Sequence, residues 1–353
     1  MKSSLARVLR DRETVVLVGM AVLLLVLLGF ALGGRFYSVS NFQSIALQVS
    51  SFGFLALAMG LSMLTGGIDL SIVSTAALAS IGGALVLSGD LIPITDSNQG
   101  TLILLAVAVT VVVGLLCGLI NGLLIAKLSV PPILATLGTM IFYGGVGLVI
   151  TNGQSVPVLV PALSEAGGMT VASIPVLFVV LCAAYILVAY LLGKRRFGRK
   201  IYLLGESVTS LRFSGIRSER VIVAVYTLIG GLVGIAAVVM LATLNSARVG
   251  FGESYLLQAI LVVVLAGFNP YGGTGRVGNL AIAVLLLQVL QNAFSIFQFS
   301  PFAKNLVWGG MLLIVMMVNF LVRNAGKKRA ERGATQPATG AVETLATSEG
   351  NVR

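Results

Sequence analysis

Apolar runs of about twenty residues, parted by short polar or glycine-rich breaks, occupy the chain from Val15 to Val322. Ten such runs predict helices: Val15–Leu32, Ile45–Leu64, Leu70–Leu87, Leu102–Ile125, Ile133–Ile150, Ile174–Gly193, Val221–Leu244, Tyr255–Gly267, Val277–Phe297 and Leu306–Val322. Each is near the ~20 residues that cross ~30 Å of hydrocarbon, apart from the short eighth. The pattern predicts an all-α, polytopic membrane protein with ten transmembrane helices. Residues 1–14 form a basic head, 15–322 the transmembrane domain, and Arg323–Arg353 a polar tail expected to be disordered. The first run follows a basic segment and so resembles a signal peptide, but its 18 apolar residues exceed the usual apolar core of one. An uncleaved first helix is the preferred reading.

Composition agrees. Hydrophobic residues make up 57% and charged residues 10% of the chain, against roughly 25% charged in soluble domains, and the mean hydropathy is +1.04. The charges are concentrated. Lys194–Arg220 holds eight Lys/Arg against Glu206 and Glu219. With the N-terminus inside, the segments that fall inside carry 20 Lys/Arg and those outside carry three: Arg35, Arg248 and Lys304. That asymmetry places both termini and the basic loop on the cytoplasmic side. The net charge of +11 does not point to nucleic acid, because it lies in loops and tails rather than along a groove.

Few residues offer chemistry. The chain has no His, and Cys117 and Cys182 both sit inside apolar runs, so no disulfide, metal cluster or enzyme active site is expected. Gly273, Gly275 and Gly278 match the spacing of a dinucleotide fingerprint, but no acidic residue follows before Glu331 and a membrane span replaces the required βαβ unit. Gly267–Thr274 has phosphate-loop spacing with glycine where the lysine belongs. Neither motif supports nucleotide binding, and no cofactor is expected on this chain.

Uncharged polar residues at membrane depth form the candidate solute pathway: Gln48, Asn121, Thr136, Thr139, Gln288, Gln291 and Asn292. The last three stand at i, i+3 and i+4 and share one helix face. Amides and hydroxyls suit a neutral, hydroxyl-rich solute, since they match its donors and acceptors without desolvating a charge. They equally suit interhelical hydrogen bonds worth about 0.6 kcal/mol each, and for the Gln288/Gln291/Asn292 face the two readings stand even. Asp69, in Thr65–Ser71 (T-G-G-I-D-L-S), reads as a helix cap rather than an ion site. Gly114, Gly118 and Gly122, with Gly230 and Gly234, read as close helix packing.

Three stretches carry a family resemblance: Gly66–Ser71 (G-G-I-D-L-S), Asn121–Met140 (N-G-L-L-I-A-K-L-S-V-P-P-I-L-A-T-L-G-T-M) and Phe213–Ile216 (F-S-G-I). Together they resemble the ribose-type permeases, the membrane subunits of bacterial ATP-binding-cassette importers for monosaccharides, which are related to branched-chain amino-acid permeases. Gly198–Gly205 looks like the segment that leads into the family's coupling helix, while Val208–Arg212 departs from its acid- and alanine-rich pattern. The resemblance implies a permease in the bacterial inner membrane that pairs with a second permease subunit, identical or not. It also implies two cytoplasmic ATP-binding subunits and a periplasmic solute-binding protein. Gly205, Glu206, Arg212, Ser214 and Gly215 would lie in or beside the coupling helix. The implied solute is a pentose or hexose, with an autoinducer-2-like furanose or a nucleoside as the alternative and an independent secondary transporter as the competing class.

Overall fold

The computed structural model describes residues 12–334; the basic head before Arg12 and the tail after Ala334 lie outside the described residues. The helices, in chain order, are α1 (Arg12–Leu32), α2 (Val39–Leu64), α3 (Ile72–Leu87), α4 (Gln99–Ala126), α5 (Pro132–Thr151), α6 (Pro161–Gly168) and α7 (Val176–Lys194). They continue as α8 (Arg196–Glu206), α9 (Val208–Phe213), α10 (Ser218–Leu244), α11 (Glu253–Leu265), α12 (Val277–Ile296) and α13 (Pro301–Ala334). Four two-residue strands make two small ladders, β1 (Val156–Pro157) with β4 (Ser246–Ala247) and β2 (Thr170–Val171) with β3 (Ile174–Pro175), both antiparallel.

The all-α expectation holds, but the count of ten full spans does not follow from the helices. Among the described residues, seven are long and apolar enough to cross a membrane: α1, α2, α4, α5, α7, α10 and α12. Helix α3 has 16 residues and α11 has 13, about 24 and 20 Å at 1.5 Å per residue, short of the ~30 Å core. Both are cut short at glycine-rich breaks, where Gly66 (φ +82°), Gly267 (φ +83°) and Gly272 (φ +96°) adopt left-handed backbone that side chains resist. The third shorter apolar helix is Pro301–Met317 of α13. Backbone helix in α13 continues to Ala334, past Arg323 where disorder was expected. That stretch is rich in Lys, Arg and Ala, all good helix formers.

Hydrogen bonds sort the connections into two ends. At one, Gly273 N–H donates to the Leu64 carbonyl (3.1 Å), and Thr14 Oγ1 donates to Asn279 Oδ1 (2.9 Å). This end holds the breaks after α2 and α11, the α4–α5 turn and the Lys194–Arg220 segment, and is called the basic end. At the other, Leu159 N–H donates to the Leu87 carbonyl and Val158 N–H to the Asn245 carbonyl, each at 3.0 Å.

Helix α2 is the centre of the bundle: from Val49 to Leu64 every residue is buried, as a helix apolar all round must be. Helix α10 packs on it, and α10 makes its tightest seam with α4. A Cβ at Gly114 would lie 2.5 Å from the Gly230 carbonyl oxygen and 2.8 Å from Gly234 Cα; one at Gly118 would lie 2.8 Å from Gly230 Cα and overlap the Tyr226 carbonyl. The glycines read from sequence as packing therefore let two backbones touch. Apolar side chains stay exposed on α1 and α7, among them Leu23 (59%), Phe30 (88%), Ile186 (71%) and Leu187 (58%), as lipid-facing helices require.

Candidate functional site

A cavity of about 710 Å³ opens at the end opposite the basic loop, within the 300–1,000 Å³ usual for small-molecule sites. Its walls come from the first turns of α2 (Ser44, Gln48, Ser51), from α6 (Ser164), from the last turn of α10 (Thr243), from the start of α11 (Ser254, Tyr255) and from Gln291 of α12. No carboxylate, ammonium or guanidinium lies among its lining residues.

The amides of α12 behave differently from one another. Gln288 Nε2 donates to Gln48 Oε1 at 2.8 Å, and Asn292 Nδ2 donates to Asn41 Oδ1 at 2.9 Å. These two bonds clamp α12 onto α2. Gln291 Oε1 and Asn292 Oδ1 are buried with no hydrogen-bond partner among the described residues. A buried carbonyl without a donor costs about 1–3 kcal/mol, and Gln291 is also one of the residues that line the cavity.

Asn121, Thr136 and Thr139 do not line this cavity. Near the basic end, Asp69 Oδ1 accepts from the Ser71 backbone N–H (2.9 Å) and hydroxyl (2.6 Å). Asn121 Nδ2 donates to Ser71 Oγ at 2.7 Å, and Tyr143 Oη donates to the Cys117 carbonyl at 3.1 Å, 3.5 Å from Asn121 Oδ1. Thr136 Oγ1 accepts from Leu70 N–H (3.1 Å) and donates to the Pro132 carbonyl (2.8 Å), while the Thr139 hydroxyl donates back to the Thr136 carbonyl (3.3 Å). Together these fasten the non-helical Ile68–Ser71 to α4 and α5. Irregular backbone is tolerated at membrane depth only when buried and satisfied in this way. Asp69 sits two residues ahead of Ser71, which occupies the N-cap position of α3 without a side-chain cap bond. Its carboxylate thus closes a turn before the helix rather than capping the first turn directly.

The Lys194–Arg220 segment folds as two short helices. On α8, Gly198, Ile201 and Leu204 are buried, a three-residue spacing that gives one face to the bundle and leaves the basic residues outward. At its end Gly205 touches backbone on two sides: a Cβ there would overlap the Leu64 carbonyl oxygen and the Gly273 amide. A Cβ on Gly272 would in turn lie 2.6 Å from the Gly205 carbonyl oxygen and 2.8 Å from Gly66 N. Tyr202 Oη donates to the Gly275 carbonyl at 2.8 Å; burial holds the phenol above its ordinary pKa, so it remains a neutral donor. Gly272 and Gly273, which belong to the Gly267–Thr274 stretch with phosphate-loop spacing, have their reason in the contact with Gly205. On α9, Leu211 is buried while Phe213 is 89% exposed. Arg212 Nε donates to Ser218 Oγ (3.3 Å) and Ser214 Oγ to the Ser210 carbonyl (3.0 Å). Gly215 turns at φ +72°, and Glu206 ends α8 against Gly273, whose Cβ would lie 3.2 Å from its backbone.

Of the pathway residues named from sequence, Gln48 and Gln291 line the cavity and Gln288 and Asn292 do not, while Ser164, Thr243 and Ser254 were missed. Those come from α6 and from helix ends at the end opposite the basic loop, and a lone Ser or Thr there carries no periodic signal. Tyr202 was missed as well.

An all-α polytopic membrane protein with a cavity free of charged side chains is the class these observations define. The chain belongs to the family described as branched-chain amino acid transport system / permease component, which matches residues 41–316. It is 32% identical over 297 residues to the autoinducer 2 import system permease protein LsrD of Yersinia enterocolitica, covering 80% of this chain and 86% of that protein. It is 33% identical over 304 residues to the ribose import permease protein RbsC of Bacillus subtilis, covering 85% and 91% respectively. No solved structure matches the chain.

Proposed function

We propose that the chain is the membrane-spanning subunit of an ATP-driven importer in the bacterial inner membrane, and that its solute is a neutral monosaccharide. The observation that carries the solute class is the cavity wall, which offers amide and hydroxyl groups and no ionisable side chain apart from the Tyr255 phenol. An amino acid brings a carboxylate and an ammonium that need compensating charge when desolvated. A sugar needs only matched hydrogen bonds. The family description names amino acids, whereas the two relatives above are named for ribose and for autoinducer 2. The second reading, an autoinducer-2-like furanose, rests on the first of those names.

In this reading the basic end and both termini face the cytoplasm, and ten passes are completed by α3 and α11 with their non-helical extensions and by Pro301–Met317 of α13. The chain pairs with a second permease subunit, stands on two ATP-binding subunits that hydrolyse the ATP, and takes solute from a periplasmic binding protein. Helices α8 and α9 carry the docking surface. Motion of the partner ATPases reaches the bundle through Gly205 and Glu206, with Arg212, Ser214 and Gly215 shaping α9. The cavity at 710 Å³ then alternates between the two sides of the membrane.

The test is competition for uptake by a radiolabelled pentose in vesicles carrying the assembled importer. Unlabelled neutral pentoses or hexoses should compete, and their phosphorylated or amino derivatives should not. Competition by amino acids alone would overturn the solute class; competition by a furanose diol of the autoinducer type alone would select the second reading.

A further inference from the structure

The first turn of α8 meets the last turns of α7 in a second cleft, of about 800 Å³, that the transport reading does not use. Four cations line it, Lys194, Arg195, Arg196 and Arg199, and no acidic residue does. The wall rises along α7 through Leu191, Tyr190 and Leu187. Leu187 and Tyr190 are 58% and 46% exposed, and seven residues of helix separate Leu187 from Lys194, a climb of about 10 Å. The Arg195 guanidinium lies over the Tyr190 ring at 5.1 Å from its centroid, a cation–π contact that holds the charge at the mouth of the apolar wall.

We infer that this cleft binds an anionic phospholipid, with its phosphate among Arg195, Arg196 and Arg199 and its acyl chains along Leu187 and Tyr190. Guanidinium groups match phosphate oxygens in geometry as well as charge, and basic pockets beside membrane helices favour anionic headgroups. A cytosolic protein would meet the cations but not an apolar wall that continues up a membrane-spanning helix. A free phosphate would have no use for that wall. The bound lipid anchors the beginning of α8, leaving the opposite end, where Gly205 meets Leu64 and Gly273, as the end that moves.

The experiment compares spin-labelled phosphatidylglycerol with spin-labelled phosphatidylcholine on the full-length chain in phosphatidylcholine nanodiscs, read as the relative association of each motionally restricted lipid. This readout needs neither transport nor a known orientation. Phosphatidylglycerol should be preferred, and Arg195→Gln with Arg199→Gln should reduce the preference by roughly fivefold per cation removed. Arg217→Gln with Arg220→Gln removes equal charge from exposed positions outside the cleft and should leave most of the preference. Equal loss in the two double variants, or no preference in the unaltered chain, would overturn the site in favour of bulk attraction. Displacement of the restricted lipid by millimolar inorganic phosphate would assign the cleft to a free anion. Loss of ATP-binding-subunit copurification in the cleft variant, with lipid preference intact, would assign it to the partner. Retention of fold in both variants is checked by their elution as a single species in detergent.

Discussion

Replacing Gly205 by alanine adds one methyl group where no space exists. The new Cβ would fall on the Leu64 carbonyl oxygen and on the Gly273 amide, which are themselves joined by a 3.1 Å hydrogen bond. Ordinary contact begins at 3.4 Å, so the end of α8 must retreat by more than about 1 Å or the Gly273–Leu64 bond must open. Both neighbours are backbone, and neither can rotate aside. Overpacking costs about 1–3 kcal/mol and loss of the hydrogen bond about 1 kcal/mol. A total of about 2–4 kcal/mol is expected, roughly a 30- to 800-fold shift against the docked position of α8. The assay is solute-stimulated ATP hydrolysis by the assembled importer, beside the thermal stability of the purified chain. Gly193→Ala is the control: its Cβ would meet nothing within 4 Å and alanine is the better helix former, so stability should hold or rise. Gly205→Ala should lose most stimulated hydrolysis while the bundle still melts cooperatively. Wild-type stimulation in Gly205→Ala would refute the claim that this contact transmits motion.

Gln291→Leu removes an amide whose Oε1 has no partner among the described residues, so thermal stability should hold while the uptake KM rises roughly 2- to 10-fold, the equivalent of one neutral hydrogen bond. Gln288→Leu breaks the bond to Gln48 and should cost about 0.6–1.7 kcal/mol of stability, visible as a lower melting temperature with a smaller effect on KM. Gly118→Ala should separate α4 from α10, since its Cβ would overlap the Tyr226 carbonyl; loss of the folded chain on size exclusion is the expected result. Glu206→Lys, at the end of α8, should abolish stimulated hydrolysis and leave basal hydrolysis and folding intact.

Hydrophobic run length marked out every apolar helix, because burial in lipid demands some 20 apolar residues regardless of tertiary detail. It could not separate full spans from α3 and α11. Leu70–Leu87 and Tyr255–Gly267 remain apolar up to breaks where glycine takes the chain out of the helix, and hydropathy does not register a change of backbone angle. The paired glycines of α4 and α10 were legible because small residues four apart share one helix face. The pathway residues were legible only as types. Gln291 and Asn121 are both amides in apolar runs, yet one faces a cavity and the other ties Ser71 to α4. Which of the two an amide does depends on contacts between elements 50 or more residues apart. Gly272 and Gly273 show the opposite case, a strong local motif whose meaning came from Gly205, a residue on a different element.

ATP dependence of uptake tests the account most directly. Vesicles containing this permease with its ATP-binding subunits, loaded with ATP and supplied with the solute-binding protein outside, should accumulate neutral sugar. Accumulation should stop when the ATP-binding subunits are omitted and should be unaffected by collapsing proton and sodium gradients. Uptake that persists without those subunits and follows an ion gradient would contradict it.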